Sequence, residues 1–164
     1  MKLDEYDIKD LILTALKSEI DSHSVYTVLE KKVENGLMKD KFHFLAEEEI
    51  KHKKYLEGLF KKTYPKETIQ IPQVSVVPLP EVTIPADEDI PLSSILSQAM
   101  KAEQAAHDFY EMLSKKFKDT KTSQMLRYFA DMELGHYRLL ETEKESIERF
   151  EQADVYWEMV HAGP

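Results

Sequence analysis

The sequence predicts an all-α protein built as an antiparallel four-helix bundle, and three observations support this fold class. Apolar residues recur in alternating steps of four and three along four long segments, the period of a helix face buried in a bundle. Five of the seven prolines fall between the second and third segments, and a sixth, Pro91, opens the third. Residues 99–141 repeat residues 15–57 at an offset of 84, with 13 identities in 43 aligned positions. We therefore expect a single domain, residues 1–164, made of two helical hairpins related by a pseudo-twofold axis.

Each predicted helix follows from its own apolar stripe and end signals. The stripe of the first helix begins at Ile8 and Ile12 and continues to Leu29 and Val33. The pair Asn35-Gly36 predicts its end, because both residue types tolerate the positive φ of a helix terminus. The expected elements are four helices at about 7–35, 37–62, 91–118 and 122–145, a short C-terminal helix at about 146–161, and a crossover at about 64–90.

The proline-rich crossover joins the second and third helices. Proline interrupts helices and restricts its neighbours to extended backbone, so this segment is predicted to be extended. A bundle of such helices is roughly 40 Å long at ~1.5 Å per residue, and an extended chain of this length spans about twice that distance. The crossover can therefore cross the whole bundle, which lets the third helix run parallel to the second.

Composition narrows the classes of function. The formal net charge of −9 disfavours nucleic acid and anionic membranes as partners, since both would be repelled. The absence of cysteine excludes disulfides, thiolate zinc sites and iron–sulfur clusters, so any metal site must use oxygen and nitrogen ligands. Charged residues at Asp4, Glu5 and Asp7 replace the apolar stretch of a signal peptide, and we expect a cytoplasmic protein.

Charged side chains interrupt the buried stripe of each helix about midway along. Antiparallel packing brings the interruptions to one level, where four buried carboxylates would be prohibitive without compensating cations. Two divalent ions balance four negative charges. We therefore predict a dinuclear site with Glu49 and Glu133 bridging; Glu19 with His52 would complete one half, and Glu103 with His136 the other. Such ligands suit iron or manganese, and zinc can occupy the site in purified protein.

Other polar residues are predicted to have lesser roles. Tyr26 and Tyr110 lie two turns beyond Glu19 and Glu103, and their buried hydroxyls need acceptors such as the ligand carboxylates. His23 and His107 also repeat at the offset of 84 but fall off the inward series, which favours structural roles, or contacts that support the ligands, over metal ligation. The Glu-x-x-His match at Glu158 and His161 has no repeat partner and is attributed to the Glu-rich composition.

The connected pattern resembles the rubrerythrin-like branch of the ferritin-like di-iron carboxylate proteins, over roughly residues 8–144. It reads Glu19-x6-Tyr26, Glu49-x-x-His52, Glu103-x6-Tyr110 and Glu133-x-x-His136 on four helices with a long crossover. Two departures stand out. Full-length rubrerythrins carry a cysteine-rich rubredoxin-type domain, whereas this sequence contains no cysteine. They also have an additional metal-binding glutamate one turn after the ligand of the third helix, where this sequence has Ala106.

The resemblance implies a ferritin-like fold and a catalytic centre of two iron ions held by the same six residues. It also implies an oxidoreductase that reduces H2O2 or O2 with an external electron donor such as rubredoxin. Two alternatives stay open: iron oxidation and storage, as in ferritins, and a metal-binding bundle without enzymatic activity. The extended crossover and the segment around Trp157 offer apolar edges, so a homodimer is expected.

Overall fold

A computed structural model describes residues 3–82, 84 and 91–161, with only the backbone described for residues 150–161. Four helices follow one another: α1 (Ile8–Lys32), α2 (Gly36–Thr63), α3 (Leu92–Ser114) and α4 (Thr120–His161). Strands are absent from the described residues, which confirms the all-α class. Among the helices described, none combines the length and apolar character needed to cross a membrane.

The hairpin α1/α2 packs against the hairpin α3/α4 as the internal repeat predicts. Tyr26 contacts Glu103, whereas Tyr110 contacts Glu19, so residue numbers rise in opposite directions along α1 and α3. Since the short connection at residues 33–35 makes α1 and α2 antiparallel, α2 runs parallel to α3. The crossover between them supplies the fully buried Val77, and Ile84 packs farther along the bundle.

Two apolar clusters fill the bundle on either side of its polar middle. One contains Leu16, Leu56 and Phe129, and the other contains Leu45 and Leu140. The repeat relates the two, because Leu56 and Leu140 are separated by the offset of 84 and lie in opposite clusters. The charged middle of the bundle is thus closed at both ends by packed side chains, which removes it from water.

The C-terminal helix predicted at about 146–161 is wrong as a separate element, because α4 is continuous from Thr120 to His161. Neither glycine nor proline occurs between Glu141 and His161 to interrupt it. Ion pairs one turn apart, Lys144 with Glu148 and Glu145 with Arg149, support the helix across the expected boundary. The side chain of Trp157 lies outside the described residues.

Two helix ends also differ from expectation. Asn35 does not terminate α1 through a positive φ; its φ is −64°, and its side chain accepts a hydrogen bond from the Met38 amide as the N-cap of α2. Asn is as well suited to N-caps as to helix ends, which explains the misassignment. The third helix ends at Ser114 rather than near 118. Just after Ser114, the amides of Lys115 and Lys116 donate hydrogen bonds to carbonyls three residues back, which tightens the last turn.

Candidate metal centre

All six predicted ligands meet in the middle of the bundle, and each is at most 4% exposed to solvent. They form two groups whose ligand atoms lie within 4.8 Å of one another: Glu19, Glu49, His52 and Glu133 in one, Glu49, Glu103, Glu133 and His136 in the other. Glu49 and Glu133 belong to both groups. The arrangement therefore has the shape of two adjacent sites that share two carboxylates.

Helix geometry explains why these side chains converge. A glutamate and a histidine three residues apart lie on one face of α2 and again of α4, while α1 and α3 each contribute a single glutamate. Each of these positions replaces an apolar residue in a stripe that otherwise packs the core. Because neighbouring helices run antiparallel, the midpoints of all four stripes coincide.

The shared carboxylates each reach both halves of the cluster. Glu133 places one oxygen 2.9 Å from His52 Nδ1 and the other 2.9 Å from His136 Nδ1. Glu49 does the same at 3.4 Å from His52 Nδ1 and 3.3 Å from His136 Nδ1. Glu19, by contrast, lies 3.3 Å from His52 Nδ1, and Glu103 lies 3.8 Å from His136 Nδ1. Two carboxylates are positioned to bridge and two to serve one half each.

These short approaches are not hydrogen bonds. Seven buried side-chain atoms of Glu49, His52, Glu133 and His136, including both nitrogens of both imidazoles, have no hydrogen-bond partner among the described residues. Two ligand atoms about 2.1 Å from one ion and at right angles to each other lie about 3 Å apart, close to the spacing seen here. Buried polar atoms without partners are costly, and convergent ones fit a cation between them. The residues present therefore fit two metal ions.

The electrostatics of the metal-free cluster indicate how it avoids four negative charges. Burial, with the charges of Glu49 and Glu133, raises the pKa of Glu19 well above its ordinary value. Burial and Glu133 likewise raise the pKa of Glu103. Both glutamates therefore keep a proton when no cation is present.

The imidazoles and the two shared carboxylates behave in the opposite way. Burial alone would lower the pKa of His52, but the Glu133, Glu19 and Glu49 carboxylates outweigh it and raise the pKa to about 12. The pKa of His136 is raised for the same reason. Burial would raise the pKa of Glu133, but contact with both imidazoles lowers it, and the pKa of Glu49 is also lowered. Protons on four groups thus compensate the cluster where two cations otherwise would.

Tyr26 and Tyr110 donate hydrogen bonds across the bundle rather than along their own helices. The Tyr26 hydroxyl donates to Glu103, and the Tyr110 hydroxyl donates to Glu19. The ligand carboxylates are the acceptors, as predicted, and the crossed pairing follows from the antiparallel arrangement of α1 and α3. Burial and the adjacent carboxylate raise the pKa of both phenols well above 10, so each stays a donor.

The remaining candidates lie apart from the cluster. His107 Nδ1 lies 2.7 Å from the Ala130 carbonyl oxygen on α4, in keeping with the predicted structural role, and His23 is half-buried on α1. The side chains of Glu158 and His161 fall in the segment where only the backbone is described. Neither histidine of the 23/107 pair is in the two groups of convergent ligand atoms.

One neighbour of the cluster was not singled out by sequence. The ring of Phe129 packs on His52 with a centroid separation of 4.2 Å, and Tyr55 packs edge-on against Phe129 at 5.1 Å. Phe129 looked like any apolar residue of the α4 stripe. The available signal was a break in the repeat, since the residues 84 positions away from Phe129 and Tyr55 are Leu45 and Leu139.

A helical bundle whose core holds four carboxylates and two imidazoles in two overlapping groups defines a class, the ferritin-like di-metal carboxylate proteins. Within that class the chain belongs to the rubrerythrin family, whose model matches residues 10–144. It is also similar to the solved structure of "Hypothetical Protein Pfu-1136390-001" from Pyrococcus furiosus. That similarity has a TM-score of 0.83 at 30% identity and covers 91% of this chain and 95% of the other. No curated protein matches the chain.

Proposed function

We propose that this protein is a di-iron oxidoreductase that reduces H2O2 or O2 with electrons from an external carrier. The observation that carries the proposal is the pair of overlapping ligand groups that share Glu49 and Glu133. Membership of the rubrerythrin family supports iron as the metal. Carboxylate and imidazole ligands without sulfur also suit iron, and zinc or manganese would be non-native occupants.

The six side chains would hold the two ions and leave room for a small oxidant. Four carboxylates and two imidazoles offer at most ten donor atoms, whereas two six-coordinate ions take about twelve. Ala106, 9% exposed, adds no further ligand one turn after Glu103. When bound, two iron ions supply two electrons by passing from ferrous to ferric, and with two protons these convert one H2O2 into two water molecules.

Residues around the six ligands exclude water from the site and hold the ligand carboxylates in place. The apolar clusters at both ends exclude water, which strengthens every electrostatic interaction inside the site. The hydroxyls of Tyr26 and Tyr110 orient Glu103 and Glu19, so these carboxylates are held in place by groups that are themselves buried. Both oxygens of Glu133 and Oε1 of Glu49 have no hydrogen-bond partner among the described residues, so these oxygens would be available to the two ions.

Single-turnover spectroscopy tests the proposal. Protein loaded anaerobically with two Fe(II) per chain should be oxidised by one equivalent of H2O2, with a near-ultraviolet absorbance rise that is complete at a ratio of one peroxide per site. Glu49→Gln should abolish the rise, whereas Glu47→Gln, an exposed neighbour on the same helix, should leave it unchanged. Loaded iron that does not respond to peroxide or O2 would overturn the proposal and favour a bundle without enzymatic activity.

Particle mass distinguishes the proposed oxidoreductase from an iron-storage protein. Storage needs a hollow shell of many subunits, whereas we propose a homodimer. Light scattering of the iron-loaded protein distinguishes the two, and a particle of about two chains excludes storage. In the part of the crossover that the structure describes, Val74 is 73% exposed and Val76 is 47% exposed, which leaves apolar surface for such a contact.

A further inference from the structure

A short series of ring contacts joins His52 to the protein surface. Phe129 packs on the His52 imidazole at 4.2 Å, and Tyr55 packs on Phe129 at 5.1 Å. Tyr55 is half-buried and lines a surface pocket of about 350 Å³, together with Gly58, Leu59 and Thr122 among others. A candidate metal ligand is therefore two ring contacts from an open pocket.

The pocket is positively charged on a protein with a net charge of −9. Lys54, Lys62 and Lys121 line it, against one carboxylate, Asp119. Lys62 is 3.3 Å from Asp119, while Lys54 and Lys121 are exposed and have no carboxylate within 4 Å among the described residues. Two ammonium groups of the lining thus have no carboxylate partner among the described residues.

The positions related by the pseudo-twofold axis have neither the aromatic contacts nor the lysine-lined pocket. The offset of 84 pairs Phe129 with Leu45 and Tyr55 with Leu139, both aliphatic. Among the pocket lysines, it pairs Lys121 with Leu37 and Lys62 with Ser146; only Lys54 has a basic counterpart, Arg138. The ligands are duplicated, but the aromatic contacts and the lysine-lined pocket exist on one side. This asymmetry places the ring contacts between the cluster and a lysine-lined pocket in one half of the molecule.

We propose that a negatively charged one-electron carrier protein docks over this pocket, and that Tyr55 and Phe129 form the path by which its electron reaches His52. The inference rests on the proposed function, which needs two electrons for each peroxide. Two carriers, each oxidised by one electron, return two ferric ions to the ferrous state, and no bond in the chain forms or breaks. Opposite charge steers the carrier to the pocket, and packed rings shorten the gap that the electron crosses.

The docking step is tested without any turnover, using zinc-loaded protein and oxidised rubredoxin of net negative charge as the probe. Titration calorimetry at low ionic strength should show binding that weakens as salt is added. The double variant K54E/K121E should weaken binding at least 10-fold. The matched control K39E/K101E reverses two exposed lysines elsewhere and should bind like the wild type. Equal weakening by both pairs, or no binding by the wild type, would overturn the docking surface.

The electron path is tested by the rate at which reduced rubredoxin reduces the iron-loaded, oxidised protein. Phe129→Leu and Tyr55→Leu install the residues of the opposite side and should lower the saturating rate at least 10-fold. Phe129 is not part of the pocket lining, so Phe129→Leu should do this without changing probe binding. Tyr55→Phe keeps the ring and should retain the rate, and Phe60→Leu controls for loss of a core ring outside the path. Unchanged rates in both leucine variants would overturn the path.

The same samples separate failure of this inference from failure of the proposed function. Dithionite, a small reductant that needs no docking surface, should reduce all variants at the wild-type rate. If dithionite-reduced protein then fails to react with peroxide, the proposed function is wrong, whereas binding of the probe to the zinc-loaded protein is unaffected. If peroxide reacts but K54E/K121E still accepts electrons from rubredoxin at the wild-type rate, the docking inference alone is wrong.

Discussion

The two halves of the molecule share their ligands and differ in what surrounds them. Glu19 and His52 in one half correspond to Glu103 and His136 in the other. Across the axis, Tyr26 donates a hydrogen bond to Glu103 and Tyr110 donates one to Glu19. Yet His52 rests on Phe129, while the position that corresponds to Phe129 in the other half is Leu45. The residues that both halves share form the cluster and hold its carboxylates in place. Phe129 and Tyr55, which only one half has, connect the cluster to the surface.

The largest expected effect separates shared ligands from unshared ones. Glu49→Gln or Glu133→Gln removes a carboxylate from both ligand groups, so both ions should be lost after gel filtration in the presence of a weak chelator. Glu19→Gln or Glu103→Gln affects one group, and about one ion per chain should remain. Metal analysis against protein concentration gives the count, with Glu47→Gln as the exposed control. Retention of two ions by Glu49→Gln would contradict the bridging role.

The next effect is a release of protons when metal binds. Without metal, raised pKa values keep protons on Glu19 and Glu103 and on both imidazoles. Ligands bind metal in their deprotonated forms, so two ions should displace close to four protons at pH 7, two from each half. Because protons compete with metal, apparent affinity should rise with pH and fall as the solution becomes acidic.

Calorimetry in buffers with different ionisation enthalpies measures the released protons. Variants Glu19→Gln and Glu103→Gln should each release about two protons fewer, since each loses one ion and therefore the proton release of one half. Unequal values for the two variants would show that the halves differ in charge state as well as in packing. Release of fewer than two protons by the wild type would contradict the protonated metal-free cluster.

Metal should also stabilise the fold. Seven buried polar atoms of the cluster lack hydrogen-bond partners among the described residues, and two ions would engage the carboxylate oxygens and one nitrogen of each imidazole only in the folded state. A first ion present at 100 times its Kd adds about 2.7 kcal/mol to the free energy of unfolding. For a chain of this length that raises Tm by roughly 5–11 °C. Calorimetric scans with and without chelator measure the shift, and Glu49→Gln should show none.

The smallest effect tests whether the halves are equivalent around the ligand carboxylates. Tyr26→Phe removes the donor to Glu103, and Tyr110→Phe removes the donor to Glu19. Loss of a hydrogen bond to a charged group costs about 1.5–3 kcal/mol, so each variant should bind one of its two ions roughly 10-fold to 100-fold more weakly. Titration curves that split into one strong and one weak step are expected for both. An effect in only one variant would show that the two halves are equivalent in their six ligands but not in the tyrosines that hold the ligand carboxylates.

Much of this site could be predicted from sequence because helical periodicity is strict. A charged residue on an apolar stripe has a defined place in a bundle, and the offset of 84 linked Glu49 and His52 to Glu133 and His136. The parallel direction of α2 and α3 likewise followed from the length of the crossover. These inferences depend on backbone geometry alone, which the residue spacing encodes directly.

Features that depend on side-chain packing between helices were harder to predict. To predict the hydrogen bond between Tyr26 and Glu103, one must know how far α1 and α3 are shifted along the bundle axis relative to each other. To predict the contact of Phe129 with His52, one must know the side-chain rotamer of Phe129. The unbroken α4 was missed because a change in apolar pattern near residue 145 does not require a change in backbone. Asn35 was misassigned because one residue type serves both kinds of helix end.

Anomalous diffraction from crystals of iron-loaded protein, measured at the iron edge, tests the central claim most directly. Two peaks should appear about 3.5–4 Å apart, the separation typical of two-metal sites. One should lie between Glu19 and His52 and the other between Glu103 and His136, with Glu49 and Glu133 contacting both. A single peak, or iron bound elsewhere while these six side chains pair only with one another, would contradict the account.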